Sequence, residues 1–289
     1  MADRAPSAND QSGTFPDGHS RPCSYTGCTK RDNYAQMISL EGQVVLVTGA
    51  SRGIGAATAE AALRAGATVV GSYRNAEGAL AALRDEHGGR VHAIRCDLAR
   101  PRAGAALWQH ALDAAGRIDG LVNNAGIAPM SGIDDPDETW YRDWAEVLAV
   151  NTQAVADLCR EAVRRFRETG GGRIVNVASR AAFRGDTPDG LHYAASKGAV
   201  VALTRSIARA WARDGVLAFI VAPGWVKTDM ASVIYEGGHA GYESALAEIP
   251  MGDAAPPEQV ANMIVFLLSG LVDHATSGTF DINGASYVR

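Results

Sequence analysis

Apolar positions along the chain alternate between a strand period and a helix period from residue 38 to the end. Val44 to Val47 is a short apolar run of strand type, and Ile54 to Arg64 carries its apolar positions at helical spacing. Thr68 to Ser72 is strand-like again, with Gly66 breaking the helix between them. The pattern then predicts a helix over Ala76 to Glu86, a strand over Val91 to Cys96, a helix over Arg102 to Ala115 and a strand over Gly120 to Val122. One long helix follows over Trp140 to Arg167, then a strand over Ile174 to Ala178, a helix over Tyr193 to Arg213 and a strand over Val216 to Val221. Trp225 to Pro257 has no clear period; Glu258 to Leu268 is helical and Thr279 to Ile282 is a last strand. Nearly unbroken apolar strands between amphipathic helices predict an α/β fold. It is a doubly wound parallel sheet of about seven strands, covered by helices on both faces, in one domain over residues 38–289.

Residues 1–37 stand outside this pattern. They are rich in Ser, Pro, Gly, Asp, Arg and Asn with almost no aliphatic content, cannot bury enough surface to offset ordering entropy, and are expected to form a disordered tail. Met37 directly precedes the patterned region and offers an alternative start, in which case the native protein would lack residues 1–36.

Composition narrows the class. With 47% hydrophobic residues and 32 glycines in 289, the chain suits a large buried core with many turns. A formal charge of −5, a pI of about 5.8 and no basic run interleaved with aromatics argue against nucleic acid as a partner. No apolar run approaches the ~18 residues of a membrane span, and the N-terminus has no apolar signal core. Cys23, Cys28, Cys96 and Cys159 are too few for a disulfide scaffold and fit a reducing cytoplasm. Cys23 and Cys28, even with His19 and His92, lack a second ligand pair at proper spacing, so no metal site is expected.

The first strand runs into Thr48-Gly49-Ala50-Ser51-Arg52-Gly53-Ile54-Gly55 and then into a helix. Glycines there let the backbone turn sharply and approach a pyrophosphate at the helix N-terminus, where free N–H groups and the dipole favour anions. Strand, glycine turn and helix in this order are the context of a Rossmann-type dinucleotide site. The second strand ends Gly71-Ser72-Tyr73-Arg74, without the carboxylate that reads an unphosphorylated ribose, and Arg52 lies inside the turn. Two guanidiniums there favour NADP(H) over NAD(H), since Arg binds a 2′-phosphate through paired donors.

A second chemistry-bearing stretch is His192-Tyr-Ala-Ala-Ser-Lys-Gly198. On a helix, Tyr193 and Lys197 share one face a turn apart. A cation beside a phenol favours the phenolate, so Lys197 is expected to lower the pKa of Tyr193 from ~10 towards the working pH.

With these motifs in register, residues 38–289 closely resemble the short-chain dehydrogenase/reductase family, in its short single-domain branch, similar to 3-oxoacyl-[acyl-carrier-protein] reductase-like members. The Thr-Gly-x-x-x-Gly-x-Gly turn and Asn123-Asn124-Ala125-Gly126 after the fourth strand carry the resemblance. So do Asp97 with Leu98, placed to meet adenine, and Pro223-Gly224 with Val226 and Thr228, which resemble the motif beside the nicotinamide. Asn151, Ser179, Tyr193 and Lys197 match the catalytic tetrad in order and spacing.

The resemblance implies an NADP-dependent oxidoreductase that interconverts a secondary alcohol and a ketone. Tyr193 is the proton donor, Lys197 also meets the nicotinamide ribose, Ser179 holds the substrate oxygen, and Asn151 holds a water that links Lys197 to solvent. It further implies a substrate lid near 225–257 and a homodimer or homotetramer through Glu138 to Arg167 and the helix from Tyr193. Carrier-protein reductases tend to carry basic residues where this chain has Gly170 and Asp214, although Arg173 and Arg213 lie close by. That departure weighs against a carrier-bound substrate and leaves sugar, steroid or tailoring dehydrogenases open. A non-catalytic NADP-binding sensor or scaffold is the alternative outside enzymes. Arg180 and Arg184, just after Ser179, read as solvated loop arginines, with an anionic substrate as the other reading.

Overall fold

The computed structural model describes residues 38–229, 243–244 and 246–289. The tail, its Met37 alternative, and Cys23, Cys28 and His19 lie outside the described residues, as does the middle of the 225–257 segment.

Seven parallel strands form one sheet in the order β3-β2-β1-β4-β5-β6-β7. They are β1 (Val44–Val47), β2 (Thr68–Tyr73), β3 (Val91–Arg95), β4 (Gly120–Asn123), β5 (Gly172–Val177), β6 (Val216–Pro223) and β7 (Thr279–Ile282). Helices α1 (Gly53–Arg64), α2 (Ala79–His87), α3 (Ala103–Ala115), α4 (Asp137–Leu148), α5 (Ala154–Thr169), α6 (Ala181–Arg184), α7 (Leu191–Trp211) and α8 (Pro257–Leu268) connect them. Strand order reverses between β1 and β4, and a doubly wound sheet opens its ligand crevice at the carboxyl ends of the strands at that point.

Side chains alternate across the sheet, so each strand feeds two cores. Val44 and Leu46 join α3, α5 and α7 around Leu107, Leu158 and Phe166. Val45 and Val47 face the other way and join α1, α2 and α8 around Leu63, Leu80 and Leu268. This double burial is why the strands read as unbroken apolar runs rather than alternating ones.

Two features depart from the predicted pattern. The helix expected over Trp140 to Arg167 is two helices, α4 and α5, joined by a π-helical turn at Ala149–Gln153 that widens the backbone where Asn151 lies. Buried positions Val147, Val150, Asn151, Ala154, Val155 and Leu158 keep the three-and-four spacing of a helix through this turn, so periodicity shows no break. The short α6 was also not expected; at four residues it is below the length at which periodicity can be read.

The ends of the aperiodic segment are tied together. Val226 bridges Ala255 in parallel, with Lys227 N–H donating to the Ala255 carbonyl at 3.0 Å and Ala255 N–H to the Trp225 carbonyl at 3.0 Å. No helix among the described residues is long and apolar enough to cross a membrane.

Candidate active site

The crevice at the switch point is a cleft of about 830 Å³. Its first wall is the glycine turn between β1 and α1. Gly49 and Gly53 take positive φ of 65° and 55°, a region that L side chains enter only with strain. Helix α1 starts with no side-chain cap and no acid in its first turn, leaving its N–H groups and dipole free for an anion.

The turn is held from β4. Asn124 donates from Nδ2 to the carbonyls of Thr48 (2.9 Å) and Gly49 (3.3 Å), and the amides of Asn124 and Ala125 donate to Thr48 Oγ1 at 2.9 and 3.0 Å. The Asn-Asn-Ala-Gly motif thus fixes the shape of the cradle with its second Asn. Its first, Asn123, points away into the core and donates to Asn176 Oδ1 at 2.8 Å, while Asn176 donates to Thr204 Oγ1 at 2.8 Å. These buried amides bind β4 and β5 to α7. The free amides, the glycine backbone and the cleft fit the pyrophosphate of a dinucleotide.

The ribose end is lined by Ser72, Tyr73 and Arg74. Arg52 pairs with Asp229 at 3.4 Å and Arg74 with Glu146 at 3.8 Å, and the two arginine side chains are 75% and 51% exposed. Such exposed pairs are worth ~0–1 kcal/mol, so a phosphate can displace them readily. The nearest acid in sequence, Glu77, is engaged by Arg84 at 2.8 Å. Asp97 and Leu98 follow β3 at the same end, Asp97 accepting from the Ala99 amide at 3.2 Å.

At the other end, α7 carries Tyr193 and Lys197 on the face that meets Ser179 at the end of β5. Tyr193 and Ser179 line the cleft together, and Ser179 Oγ accepts from the Ala181 amide at 3.1 Å. Lys197 Nζ donates to the Val177 carbonyl at 2.8 Å and lies 5.7 Å from the Tyr193 ring centroid.

The expected lowering of the phenol pKa is not what this geometry produces. Burial pushes Tyr193 up to about 12, with Ser179 pulling it down and Asp186 adding to the rise. Burial also holds the Lys197 ammonium down to about 8. The physical reason is desolvation, of Lys197 in the buried wall and of Tyr193 partly buried at the cleft, with Lys197 anchored to Val177 over the ring rather than at the phenol oxygen. A pH dependence follows, with the sign set by Lys197. The amine loses its charge as pH rises through about 8, while the phenol keeps its proton. Carbonyl-reducing kcat/KM is therefore expected to be flat below pH 8 and to fall above it, as a pH–rate profile would show.

Asn151 sits behind the wall of the cleft. Its Oδ1 accepts from Ile127 N–H at 2.9 Å, and its Nδ2 donates to the Ile127 carbonyl (2.9 Å) and to Ser196 Oγ (3.1 Å). Ser196 in turn donates to the Tyr193 carbonyl at 2.7 Å. The π turn thus grips α7 between Tyr193 and Lys197, through a serine that no motif singled out. A Cβ on Gly126 would come 3.3 Å from Asn151 Oδ1 and 3.4 Å from Lys197 Nζ, so glycine keeps these two groups side by side.

Pro223, Gly224, Val226 and Thr228 line the cleft beyond β6, and Thr228 packs 3.1 Å from where a Cβ on Gly53 would stand. Gly55, like Asn151, does not face the cleft; it packs against the back of the turn. The other expected site residues converge on it.

Arg180 differs from its reading as a solvated loop residue. Its side chain is 5% exposed, because Ser179 and Arg180 start α6 and turn back onto the sheet, with Arg180 N–H donating to the Pro223 carbonyl at 2.9 Å. Glu248, Asp186 and Trp225 also line the cleft. They come from aperiodic stretches, where no sequence period marks which side chains turn inward.

This architecture defines a dinucleotide-binding α/β protein with a Ser-Tyr-Lys constellation at its switch point. Residues 49–284 match the family model described as enoyl-(acyl carrier protein) reductase. The chain is 33% identical over 257 residues to a 3-oxoacyl-[acyl-carrier-protein] reductase of Aquifex aeolicus, covering 86% of this chain and 99% of that one. It is 37% identical over 255 residues to a D-threitol dehydrogenase of Mycolicibacterium smegmatis, covering 86% and 92%. A solved structure from Beutenbergia cavernae, assigned as an NAD(P)-dependent gluconate 5-dehydrogenase with bound NADP, superposes with a TM-score of 0.79 at 35% identity, covering 86% and 98%. The chain belongs to the short-chain dehydrogenase/reductase family of oxidoreductases.

Proposed function

We propose that the protein interconverts a secondary alcohol and a ketone with NADP(H), using Tyr193 as general acid and base. The observation that carries this is that Ser179, Tyr193 and, one turn on, the buried Lys197 line the same cleft as the glycine turn. Bound nicotinamide supplies the hydride chemistry. Ser179 orients the substrate oxygen, and Tyr193 moves a proton to or from that oxygen. Lys197 places positive charge near the phenol below pH 8, and Asn151 holds α7 in register through Ser196. The test is a panel of ketones and secondary alcohols followed at the nicotinamide absorbance; no turnover of any member would refute the reading.

NADP(H) is favoured because Arg52 and Arg74 flank the ribose end and no free carboxylate stands at the end of β2. Arg74→Asp is expected to move the ratio of catalytic efficiencies with NADPH and NADH towards NADH by at least about tenfold, roughly 1.4 kcal/mol. A wild-type preference for NADH would reverse the assignment.

A small hydroxylated, sugar-derived substrate fits better than a carrier-bound thioester. Near the carrier-specific positions, Arg173 is engaged in a paired contact with Asp273 (2.9 and 3.0 Å), Asp214 is held by Arg167 at 2.8 Å, and only Arg213 of the two neighbouring arginines is exposed. The relatives named for threitol and gluconate act, by their names, on such hydroxylated compounds. A homodimer or homotetramer is part of the same proposal, supported by Tyr141 and Leu148, 69% and 38% exposed around α4.

A further inference from the structure

The substrate end of the cleft holds two buried hydrogen-bond donors that the proposed reaction does not use. Arg180 donates from Nη2 to Glu248 Oε2 at 3.0 Å, and Arg184 Nη2 reaches the same oxygen at 3.4 Å. Nη1 of Arg180 has no partner among the described residues, and neither has Nε1 of Trp225. The Trp225 ring lies 5.4 Å from the Arg180 guanidinium carbon. Leaving a buried donor unmet costs ~1–3 kcal/mol, and more for a charged one. Both orphaned groups are donors, so what completes them is an acceptor, and next to two guanidiniums it is an anionic one.

The existing partner is a poor match for the fork it meets. Guanidinium and carboxylate pair best through two parallel bonds, whereas Glu248 uses one oxygen for two arginines. Its side chain is 48% exposed against 5% for Arg180, so the carboxylate is the member able to leave. Asp186 also lines the cleft. With Glu248 in place the two arginines and two acids balance; with Glu248 displaced the group carries a net positive charge.

We propose that Arg180, with Arg184 and Trp225 Nε1, is a subsite for a substrate carboxylate, and that Glu248 occupies it until an acid substrate takes its place. The protein would then select oxo-acids and hydroxy-acids over neutral ketones and alcohols. This rests on the alcohol–ketone reading, since Arg180 directly follows Ser179 and the subsite holds the end of the substrate away from the reacting carbon.

The test compares 3-oxobutanoate and 4-oxopentanoate with their methyl esters. Wild type is expected to favour the acids by at least tenfold in kcat/KM. Arg184→Gln should raise KM for the acids about tenfold and Arg180→Gln about a hundredfold, with the esters little changed, as loss of charged hydrogen bonds implies. Glu248→Gln should lower KM for the acids alone. If the Arg180 variant fails to fold, Arg184→Gln and Glu248→Gln decide the matter. Equal effects on acid and ester would make these residues a latch on the loop and overturn the subsite, as would turnover of the esters without preference for the acids, although the reaction would stand. If no compound is turned over, the reaction reading fails, and calorimetric binding of 4-oxopentanoate judges the subsite separately. Binding lost in Arg184→Gln supports it, and no binding to wild type refutes it.

Discussion

Replacing Tyr193 with phenylalanine is expected to lower kcat by between about 100- and 10,000-fold, the range for losing a positioned general acid. The change removes one oxygen from a ring packed on α7 and leaves the backbone untouched. The Ser179 hydroxyl keeps the Ala181 amide at 3.1 Å, and Lys197 keeps the Val177 carbonyl at 2.8 Å. Dinucleotide affinity, measured by calorimetry, should therefore change by less than about threefold, well under 1.4 kcal/mol. An undiminished cellular function in this variant would mean that the protein acts as a sensor or scaffold, not as an enzyme.

Gly55→Ala should damage fold and cofactor binding together. The new Cβ would press on the Gly49 carbonyl oxygen and stand 2.6 Å from Asn124 Nδ2. Neither neighbour can rotate away, because Asn124 is bound to the carbonyls of Thr48 and Gly49. Either α1 shifts outward or the Asn124 contacts break, and both distort the amides that face the pyrophosphate. Overpacking of this kind costs ~1–3 kcal/mol, equivalent to a Tm loss of roughly 2–12 °C at this size. Dinucleotide affinity is expected to fall at least about tenfold, or 1.4 kcal/mol, in the same titration. At exposed Gly89, where an added Cβ meets nothing within 4 Å, the same substitution should leave both quantities nearly unchanged.

Strand and helix positions were legible because burial on both sheet faces leaves a dense apolar signature, and β1, β4 and β7 lie within a residue or two of their expected limits. The glycine turn was legible because positive φ and close packing restrict the residues a position accepts. The Tyr-Lys pair was legible because helical spacing places i and i+4 on one face. Arg180 was not legible, because its burial depends on α6 folding back onto β6 and on Trp225 and Glu248 arriving from a distant aperiodic stretch. The protonation of Tyr193 was misjudged for a related reason. A spacing shows that a cation is near, but only packed coordinates show how far the phenol and the ammonium are desolvated and that Lys197 is tied to Val177.

The sequence by itself determined the parallel sheet, the glycine turn and the pairing of Tyr193 with Lys197 on one helix face, since each follows from local period, backbone conformation or spacing. Only the tertiary structure decided that Asn151 is hydrogen-bonded to Ser196 from a π turn, that burial shifts the two pKa values, and that two arginines converge on Glu248. Those properties depend on desolvation and on contacts between residues far apart in the chain, which no local pattern encodes.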